Sequence, residues 1–345
     1  MLYFVRVMNM TKDAILELLR EHVDSYISGA ELARQLSVSR TAIWKGIEQL
    51  REEGYSIDSV TNRGYRLSSD SDVLDEGGVR KYLKTDGLTL QVYRSISSTN
   101  TVLKAMAEQA AGEGLCLIAG EQTAGRGRRG RSFYSPPDSG IYMSILLRPT
   151  LHAVDATSIT ACAAVAVAEA IEHLAPVRAE IKWVNDIYVN GKKVCGILTE
   201  ASLDCENGLV NYLIVGIGIN TRVPTDDYPE ELRSIAGPAF GEEAIPELRC
   251  RLAAGVLDRL MYYYRNLSEK PWADEYRRRS FILGKEINIL ATGKEPEPAV
   301  ALDLDENFGL IVRTENGELR HLNSGEVSVR QRDRESDRKA EGVQA

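Results

Sequence analysis

Residues 115–131 read LCLIAGEQTAGRGRRGR and join an apolar run to a basic loop. The first five residues are apolar and have the length of a buried strand. In the loop that follows, four arginines are interspersed with glycines. Because each guanidinium is permanently charged and glycine adds little restraint, we expect the loop to repel itself and to become ordered only around an anion. The segment therefore predicts a strand followed by an anion-binding loop.

Common phosphate-binding loops do not explain this segment. It lacks the Gly-Lys-Ser/Thr ending of a Walker A loop and does not follow the spacing of a dinucleotide-binding fingerprint. A solvated basic loop or an RNA-binding segment of the RGG type is an alternative interpretation. The position between two predicted strands, rather than in a tail, favours a loop that closes on a bound anion.

The surrounding residues 79–279 alternate strand-like apolar runs with helical patterns, which predicts a mixed α/β domain around one sheet. Residues 97–100, SSTN, place hydroxyl and amide groups at the start of a helix, although simple N-capping would also explain them. Residues 213–220, LIVGIGIN, have glycines at alternate strand positions. One face of that strand is then bare, so a flat ligand could lie against the backbone; close packing of a helix is the alternative.

A further motif of this domain combines acidic, amide and basic side chains. Residues 182–186, KWVND, precede a predicted hairpin turn at residues 190–191 and the strand KKVCGIL, residues 192–198. A carboxylate and a carboxamide near lysines of a neighbouring strand can hold a metal-bound phosphate and neutralise charge at a reacting phosphorus. A cross-strand salt bridge is the alternative interpretation.

The N-terminal part of the chain has the pattern of a winged helix-turn-helix. A first amphipathic helix is predicted for residues 12–23. Ser28 and Glu31 form a capping box that starts a second short helix, and Ser39 is the predicted N-cap of a third. The polar turn at residues 62–64 lies between two strand-like runs and predicts a hairpin, the wing.

The outward face of the third helix carries hydrogen-bond donors and an aromatic ring, which suits contacts to base edges and phosphates. Arg63 and Arg66 would make the wing a second phosphate contact. A small helical domain that binds protein is the alternative, because the charge of this segment is nearly balanced. The predicted DNA-binding residues are Ser39, Arg40, Thr41, Trp44, Lys45 and Arg63.

The formal net charge of −8 argues against a chain coated by nucleic acid, although one domain can still contact DNA through a local surface. The Ala-rich run at residues 156–175 contains two glutamates and a histidine, which predicts a buried helix rather than a membrane span. The five cysteines and four histidines are scattered, without the close pairing that zinc sites use. We expect buried, reduced cysteines in a cytoplasmic protein with no membrane partner.

Three further segments complete the chain. Residues 68–75 are polar, acidic and aperiodic, as in a linker between domains. From residue 284 to about residue 330, short alternating apolar runs are separated by turns at residues 306–307 and 316–317, which predicts a small β-barrel. The mostly charged residues 331–345 are predicted to be disordered.

Taken in order, the winged helix-turn-helix and the motifs SSTN, GRGRRGR, KWVND with KKVCGIL, and GIGIN resemble the bifunctional biotin protein ligases that are also biotin operon repressors. The resemblance extends over residues 11–330. It implies ATP-dependent formation of biotinyl-5'-AMP and transfer of biotin to a lysine of the biotin carboxyl carrier protein of acetyl-CoA carboxylase or a related carboxylase. It also implies Mg²⁺, operator DNA as a partner, a homodimer when biotinyl-AMP is bound, and repression of biotin synthesis and transport genes.

The same resemblance implies an α+β multidomain fold. The central domain would be a mixed α/β ligase domain resembling class II aminoacyl-tRNA synthetases, and the C-terminal domain an SH3-like β-barrel. The implied boundaries are residues 11–68 for the winged helix-turn-helix, 69–78 for the linker, 79–279 for the biotin- and ATP-binding catalytic domain, 280–330 for the C-terminal domain, and 331–345 for a disordered tail.

Site residues carry over from the resemblance position by position. The implied catalytic residues are Lys193, Arg128 and Asp186, and Asp186 would also hold Mg²⁺ through the ATP phosphates. The implied contacts to biotin or biotinyl-AMP are Ser98, Thr99, Asn100, Gln122, Arg126, Gly127, Arg128, Lys193, Gly196, Gly216 and Gly218. The implied ATP contacts are Arg131, Phe133, Asn185 and Asn220.

Two positions depart from the family pattern. Phe133 stands where an adenine-stacking tryptophan is usual, and Val184 replaces the proline of KWPND. Phe133 can still stack with a smaller face and Val184 removes no functional group, so the departures bear on nucleotide affinity more than on reaction type. Three alternatives stay open: a repressor that senses biotin without catalysis, a lipoate-protein ligase of related fold, and a ligase whose DNA-binding domain has lost its operator.

Overall fold

The structure is a computed structural model of the chain with three successive units: a helical domain with a β-hairpin, a seven-stranded sheet with helices, and a five-stranded sheet. The described residues are 2–22, 25–68, 71–151, 156–203, 209–243, 245–290, 295–323 and 326–329. The predicted disordered tail, residues 331–345, lies outside them.

The N-terminal unit is a winged helix-turn-helix, as predicted. Its elements are α1 (Leu2–Glu21), α2 (Gly29–Gln35), α3 (Arg40–Glu52), β1 (Ile57–Val60) and β2 (Gly64–Leu67). The hydroxyl of Ser28 accepts a hydrogen bond from the Glu31 amide at 3.1 Å, and that of Ser39 accepts one from the Ala42 amide at 3.1 Å. These side chains satisfy backbone donors that the first helical turn leaves unpaired, which explains where α2 and α3 begin.

Three details of this unit differ from the prediction. Helix α1 begins at Leu2, well before Lys12. Only the Ser28 half of the capping box forms, because the carboxylate of Glu31 pairs with the guanidinium of Arg34 at 2.5 Å instead of returning to the backbone. In the wing, Arg66 pairs with Asp58 at 2.5 Å, so its charge is already neutralised by the hairpin itself.

The central unit is built on a mixed sheet with the strand order β3-β4-β5-β9-β8-β7-β6, in which only β3 and β4 are parallel. Its strands are β3 (Thr89–Tyr93), β4 (Leu115–Ala119), β5 (Gly140–Leu147), β6 (Glu180–Lys182), β7 (Asp186–Val189), β8 (Lys192–Leu203) and β9 (Val210–Asn220). Its helices are α4 (Glu76–Tyr82), α5 (Thr99–Glu108), α6 (Ala156–Leu174), α7 (Glu230–Arg233), α8 (Leu248–Arg265) and α9 (Ala273–Arg279). The predicted mixed α/β domain around one sheet is confirmed.

The two faces of this sheet are covered differently. Helices α6 and α8 pack on one face, and the apolar side chains between them form the main core. Helix α5 covers only part of the other face, where Leu103 and Ala107 pack on β4, β5 and β9. The rest of that second face, over the glycines of β8 and β9, is left for a cavity.

Helix α6 is the Ala-rich run that the sequence predicts to be buried. Residues 157–174 are long and apolar enough to cross a membrane, yet 72% of that window is buried inside the fold. Its two glutamates are paired: Glu169 accepts from the Tyr263 hydroxyl at 2.8 Å, and Glu172 pairs with Arg279 at 2.7 Å. The prediction of a buried helix is confirmed.

The C-terminal unit is an antiparallel sheet with the strand order β13-β12-β11-β10-β14. Its strands are β10 (Glu286–Leu290), β11 (Glu297–Leu304), β12 (Leu310–Thr314), β13 (Leu319–Leu322) and β14 (Glu326–Val329). The predicted turns are confirmed, with Phe308 and Gly317 at positive φ values of 63° and 86°. The indole of Trp183 donates to the carbonyl oxygen of Phe308 at 2.8 Å, which ties this sheet to the central unit.

The cysteines that the structure describes behave as small apolar side chains. Cys116, Cys162, Cys195 and Cys250 are buried and unpaired, as predicted, whereas Cys205 lies outside the described residues. Burial raises the pKa of the Cys116 thiol to about 12, so this group stays protonated and unreactive near neutral pH.

The described part of the predicted linker, residues 71–78, contacts the central unit. Asp75 caps α4 through its carboxylate, so this helix occupies the last three residues of the expected linker, which is residues 69–78. Arg249 of α8 is buried and donates from Nε to the backbone oxygen of Asp72 at 3.1 Å. Its backbone amide also donates to the carboxylate of Asp72 at 2.9 Å. Burial raises the pKa of Asp72. The charge of Arg249 opposes this rise and so stabilises the ionised carboxylate.

The Arg249–Asp72 contact leads to a first prediction. Replacing Arg249 with methionine should lower the free energy of unfolding by about 1.5–3 kcal/mol, because it leaves the mostly buried carboxylate of Asp72 with one backbone amide and the more distant guanidinium of Arg222, 3.5 Å away. Chemical denaturation of the full chain measures this. The control is Arg259→Met on the same helix, where the pair with Glu169 is partly exposed and should contribute at most about 1 kcal/mol. Equal losses in the two variants would contradict the prediction.

Candidate active site

The open part of the sheet holds a cavity of about 150 Å³. It lies between the start of α5, the Gly-Arg loop (residues 125–131), the glycines of β8 and β9, and Val327 of the C-terminal sheet. The predicted site residues that line it are Ser98, Thr99, Asn100, Gln122, Arg126, Gly127, Arg128, Arg131, Phe133, Asn185, Asp186, Lys193, Gly196, Gly216 and Gly218. The cavity therefore brings together motifs that are more than 100 residues apart in the chain.

At one end of the cavity, the start of α5 is hydrogen-bonded to Gln122, which lies three residues before the Gly-Arg loop. The backbone amide of Thr99 donates to Oε1 of Gln122 at 2.9 Å, and the Thr99 hydroxyl donates to the same oxygen at 3.1 Å. Nε2 of Gln122 donates to the hydroxyl of Ser135 at 3.0 Å. With both ends of its amide engaged, Gln122 has one defined orientation beside the cavity.

Asn100 is a buried polar side chain of the cavity, with 4% of its surface exposed. Its Oδ1 lies 2.6 Å from the hydroxyl of Ser144, and its Nδ2 donates to Oε2 of Glu200 at 2.8 Å. A Cβ atom on Gly216 would lie 2.0 Å from Oδ1 of Asn100. The glycine is therefore required by the side chain of Asn100, which packs directly on the strand.

The Gly-Arg loop is held by the protein itself. Its base is closed by a hydrogen bond from the Gly127 amide to the Arg131 oxygen at 2.7 Å. Arg126 pairs with Glu200 at 3.1 Å, and Arg128 donates to Oδ1 of Asn185 at 2.9 Å. These contacts with a carboxylate and an amide group partly offset the predicted self-repulsion of the loop, and its ordering around an anion stays a prediction.

A second charged group lies on neighbouring strands across the cavity. Nζ of Lys193 on β8 is 2.7 Å from Oδ1 of Asp186 on β7, and Nδ2 of Asn185 donates to the same oxygen at 3.1 Å. The sequence allowed either a phosphate-binding group or a cross-strand salt bridge, and the structure contains the salt bridge inside the cavity. Arg128 also lines the cavity, where it donates to Asn185, so two cations and one carboxylate leave a net positive charge in this part of the cavity for an anionic ligand.

The bare face of the glycine strands is covered by an aromatic ring. Gly196 and Gly218 are directly opposed in the β8–β9 register. A Cβ atom on Gly218 would lie 2.5 Å from the ring of Phe133, and one on Gly196 would lie 3.0 Å from it. The glycines thus leave room for a flat group against the backbone, and in the structure that group is the side chain of Phe133; the flat ligand expected on this face stays a prediction.

Val184, the second departure from the family pattern, is held by a hydrogen bond to its backbone carbonyl group. The hydroxyl of Tyr276 donates to the Val184 carbonyl oxygen at 3.0 Å. Burial raises the pKa of Tyr276 well above its usual range, so the hydroxyl remains a neutral donor at physiological pH. This hydrogen bond restrains the backbone at the position where the family motif has proline.

Asn220 is the predicted ATP contact that the structure does not bring into the cavity. It ends β9, and its Nδ2 donates to the backbone oxygen of Gly237 at 3.4 Å. Conversely, the sequence interpretation missed Ser144 and Glu200, which hold Asn100. A signal existed for each: Ser144 is a polar residue in an otherwise apolar strand, and Glu200 follows Gly196 and Leu198 at strand alternation.

The candidate DNA-binding surface lies on the winged helix-turn-helix. Arg40, Thr41 and Lys45 are exposed on α3, and Trp44 keeps 54% of its surface exposed. Ser39 uses its hydroxyl to cap the helix. In the wing, the guanidinium of Arg63 lies 4.6 Å from the centre of the Tyr26 ring. A helix face with several hydrogen-bond donors and an exposed indole suits contacts to base edges and phosphates.

Comparison with known proteins finds matches in all three units of the fold. The model of the biotin/lipoate A/B protein ligase family matches residues 92–220, that of an HTH domain matches residues 11–66, and that of the biotin protein ligase C terminal domain matches residues 282–330. The bifunctional ligase/repressor BirA of Bacillus spizizenii is 36% identical over 335 residues, which cover 93% of this chain and 98% of that protein. The chain belongs to the biotin protein ligase family.

One further related sequence and one solved structure are similar to this chain over about two thirds of its length. The bifunctional ligase/repressor BirA of Bacillus subtilis is 42% identical over 229 residues, which cover 66% of this chain and 70% of that protein. A solved structure of the biotin protein ligase from Aquifex aeolicus, in complex with biotin and ATP, matches with a TM-score of 0.58 at 30% identity. That likeness covers 70% of this chain and 99% of the Aquifex protein.

Proposed function

We propose that this biotin protein ligase joins biotin to AMP at the expense of ATP, transfers the biotin to a lysine of a carrier protein, and represses transcription in response to biotin. The observation that carries the proposal is the single cavity in which Lys193, Arg128 and Asp186 lie beside a glycine-lined strand face. A site with net positive charge and a bare backbone surface fits a flat carboxylic acid and a nucleotide together.

The chemistry requires two anions to approach each other. A carboxylate oxygen of biotin forms a bond to the α-phosphorus of ATP, and pyrophosphate leaves. Fixed cations offset both the repulsion between the reactants and the charge that grows in the transition state. Lys193 and Arg128 supply these cations, and they exchange their present partners, Asp186 and Asn185, for oxygens of the substrates.

The second step consumes the mixed anhydride. The amine of the acceptor lysine attacks the acyl carbon of biotinyl-AMP, and AMP leaves. The Gly-Arg loop lies over the cavity, where it limits the access of water to the anhydride until the acceptor arrives. The acceptor in this proposal is the biotin carboxyl carrier protein of acetyl-CoA carboxylase or a related carboxylase.

Mg²⁺ fits this site as a companion of ATP. The structure's described residues contain no group of three or more His, Cys, Asp and Glu side chains that could cage a metal. Asp186 is the carboxylate that lines the cavity, and one carboxylate together with substrate phosphates is a usual ligand set for Mg²⁺. When bound there, the ion would neutralise charge on the phosphates.

The roles within the cavity follow from position. We assign the biotin end to the side chains around Asn100 and Gln122 and to the paired glycines, and the nucleotide end to Arg131, Phe133 and Asn185. Because the Phe133 ring covers the glycine pair, a ligand on that face must either stack on the ring or displace it. Asn220, off the cavity, would act only by supporting the end of β9.

Finer features of the fold are also part of the proposal. We assign residues 11–68, 79–279 and 280–330 to the DNA-binding, catalytic and C-terminal domains, with a linker at residues 69–78. The mixed sheet is compatible with a class II aminoacyl-tRNA synthetase likeness, and the five-stranded antiparallel sheet with an SH3-like barrel. A cytoplasmic location agrees with buried, unpaired cysteines.

For repression, the binding of biotinyl-AMP in the cavity would be coupled to the binding of DNA by the winged helix-turn-helix. In this proposal, two chains that hold biotinyl-AMP form a homodimer and present two winged helices to an operator with two half-sites. Transfer of biotin to the carrier empties the cavity and releases the DNA. The exposed donors and indole of α3 are the groups that would read the operator.

A prediction for the DNA-binding surface follows. Arg40→Ala and Trp44→Ala should each weaken operator binding about tenfold, since each removes a contact of the helix with the groove. A gel shift against the promoter of the protein's own biotin genes, with biotin and ATP present, measures this. Arg178→Ala, at an exposed arginine of the central domain, is the control. Undiminished binding by both α3 variants would exclude α3 as the reading helix.

Transfer of biotin to a purified acceptor carrier domain tests the enzymatic proposal. Wild-type protein with ATP and Mg²⁺ should biotinylate the acceptor lysine, detected by mass spectrometry. Saturable biotin binding without transfer would support the non-catalytic sensor instead. Supplying biotin and lipoate in competition distinguishes the lipoate ligase, which would attach lipoate in preference.

A further inference from the structure

Glu200 lies on the cavity face of β8. Thr199 points to the opposite face, where its hydroxyl is 2.7 Å from that of Thr160 in α6. Because side chains alternate along a strand, Glu200 shares the other face with Gly196 and Leu198, which line the cavity. An acidic side chain is thus placed at the rim of a site that must collect anions.

The carboxylate of Glu200 contacts two substrate-binding elements at once. Its Oε1 lies 3.1 Å from Nη1 of Arg126 at the base of the Gly-Arg loop. Its Oε2 accepts a hydrogen bond from Nδ2 of Asn100 at 2.8 Å. One side chain therefore connects the start of α5, the loop and the sheet.

The charge of Glu200 affects the binding of an anionic ligand in the cavity. A lone carboxylate beside an anionic ligand would weaken binding, whereas a carboxylate paired with an arginine contributes little repulsion. Nη1 of Arg126 is the atom that faces Glu200, and a guanidinium has further N–H groups with which to bind a second anion. Arg126 can therefore bind the sheet and a phosphate together, and Glu200 need not be displaced.

We propose that Glu200 is a positioning residue that anchors Arg126 to the sheet and so keeps the Gly-Arg loop closed over biotinyl-AMP between the two reaction steps. The inference rests on the proposed function. In this role Glu200 controls how long biotinyl-AMP is retained. A merely structural role would change the stability of the fold instead.

The test measures retention directly. Wild type and Glu200→Gln are incubated with biotin, ATP and Mg²⁺ without acceptor, and the biotinyl-AMP released into solution is compared with the total that each protein forms. Glutamine keeps an oxygen for Asn100 but loses the charge for Arg126. We expect the dissociation rate of biotinyl-AMP, measured by a chase, to rise about tenfold, the scale of one charge-assisted hydrogen bond.

Two controls make the result specific. Glu180→Gln removes a carboxylate of β6 that pairs with the exposed Arg178, and this variant should release biotinyl-AMP at the wild-type rate. In an Arg126→Ala background, Glu200→Gln should add little, because the two residues act as one unit. Thermal melting of each variant verifies folding.

The outcomes separate the two proposals. If wild type forms no biotinyl-AMP, the proposed function fails. If wild type forms and retains it while Glu200→Gln releases it at the same rate as wild type, the function stands and the role of Glu200 is overturned. An equal effect of Glu200→Gln with and without Arg126 would also overturn the anchoring role.

Discussion

Lys193→Ala is expected to slow formation of biotinyl-AMP by about 10²–10³-fold, the usual cost of removing one preorganised charge-stabilising group. Nζ of Lys193 is fixed 2.7 Å from Asp186 inside the cavity, and its backbone amide is held by the oxygen of Ile235 at 2.8 Å. The charge is therefore in place before the substrates bind. Rapid-quench measurement of a single turnover with saturating biotin and ATP reports this step alone.

The neighbouring lysine provides a matched control. Nζ of Lys192 donates to the backbone oxygens of Arg233 and Ser234, both at 2.9 Å, on the far side of the strand from the cavity lining. Lys192→Ala removes the same charge from the same strand and should leave the single-turnover rate within about twofold. If the two variants are slowed equally, net charge rather than the placement of Lys193 governs the reaction.

The second large effect is expected at the biotin end of the cavity. Gly216→Ala would put a methyl group 2.0 Å from Oδ1 of Asn100. Asn100 is buried and held by Ser144 and Glu200, so it must leave these partners to make room. Because displacement of a binding group by about 1 Å can cost about 10²-fold, we expect the affinity for biotin to fall by at least that factor.

Calorimetric titration with biotin measures the loss at Gly216. Gly112→Ala is the control, since a methyl group there meets nothing within 4 Å and the backbone conformation suits alanine. Wild-type affinity in Gly216→Ala would show that Asn100 does not contribute to the biotin site.

Local sequence patterns predicted the parts of the fold that depend on near neighbours. The hydroxyl caps at Ser28 and Ser39 were predictable because a cap acts within one helical turn. The hairpin at residues 190–191 was predictable because Asn-Gly tolerates the positive φ values, 51° and 74°, that a tight turn needs. The cavity lining was predictable only through the ordered set of motifs, because no single motif specified its partners.

Long-range pairings account for what the sequence interpretation missed. The loop was expected to repel itself, yet Arg126 and Arg128 have hydrogen-bond partners at least 57 residues away in the sequence. The same applies to the linker, where Asp72 meets Arg249 across 177 residues. Local composition reports the charge of a segment but not the charge that the fold places opposite it, so paired and unpaired arginines look alike in a sequence.

The central claim is that one cavity activates biotin with ATP, and exchange of labelled pyrophosphate into ATP tests it most directly. Exchange requires reversible formation of biotinyl-AMP and needs neither the acceptor protein nor DNA. The account predicts that the wild-type protein supports exchange that depends on biotin and that Lys193→Ala slows this exchange by about 10²–10³-fold. A folded wild-type protein that shows no biotin-dependent exchange at saturating ATP and Mg²⁺ would contradict it.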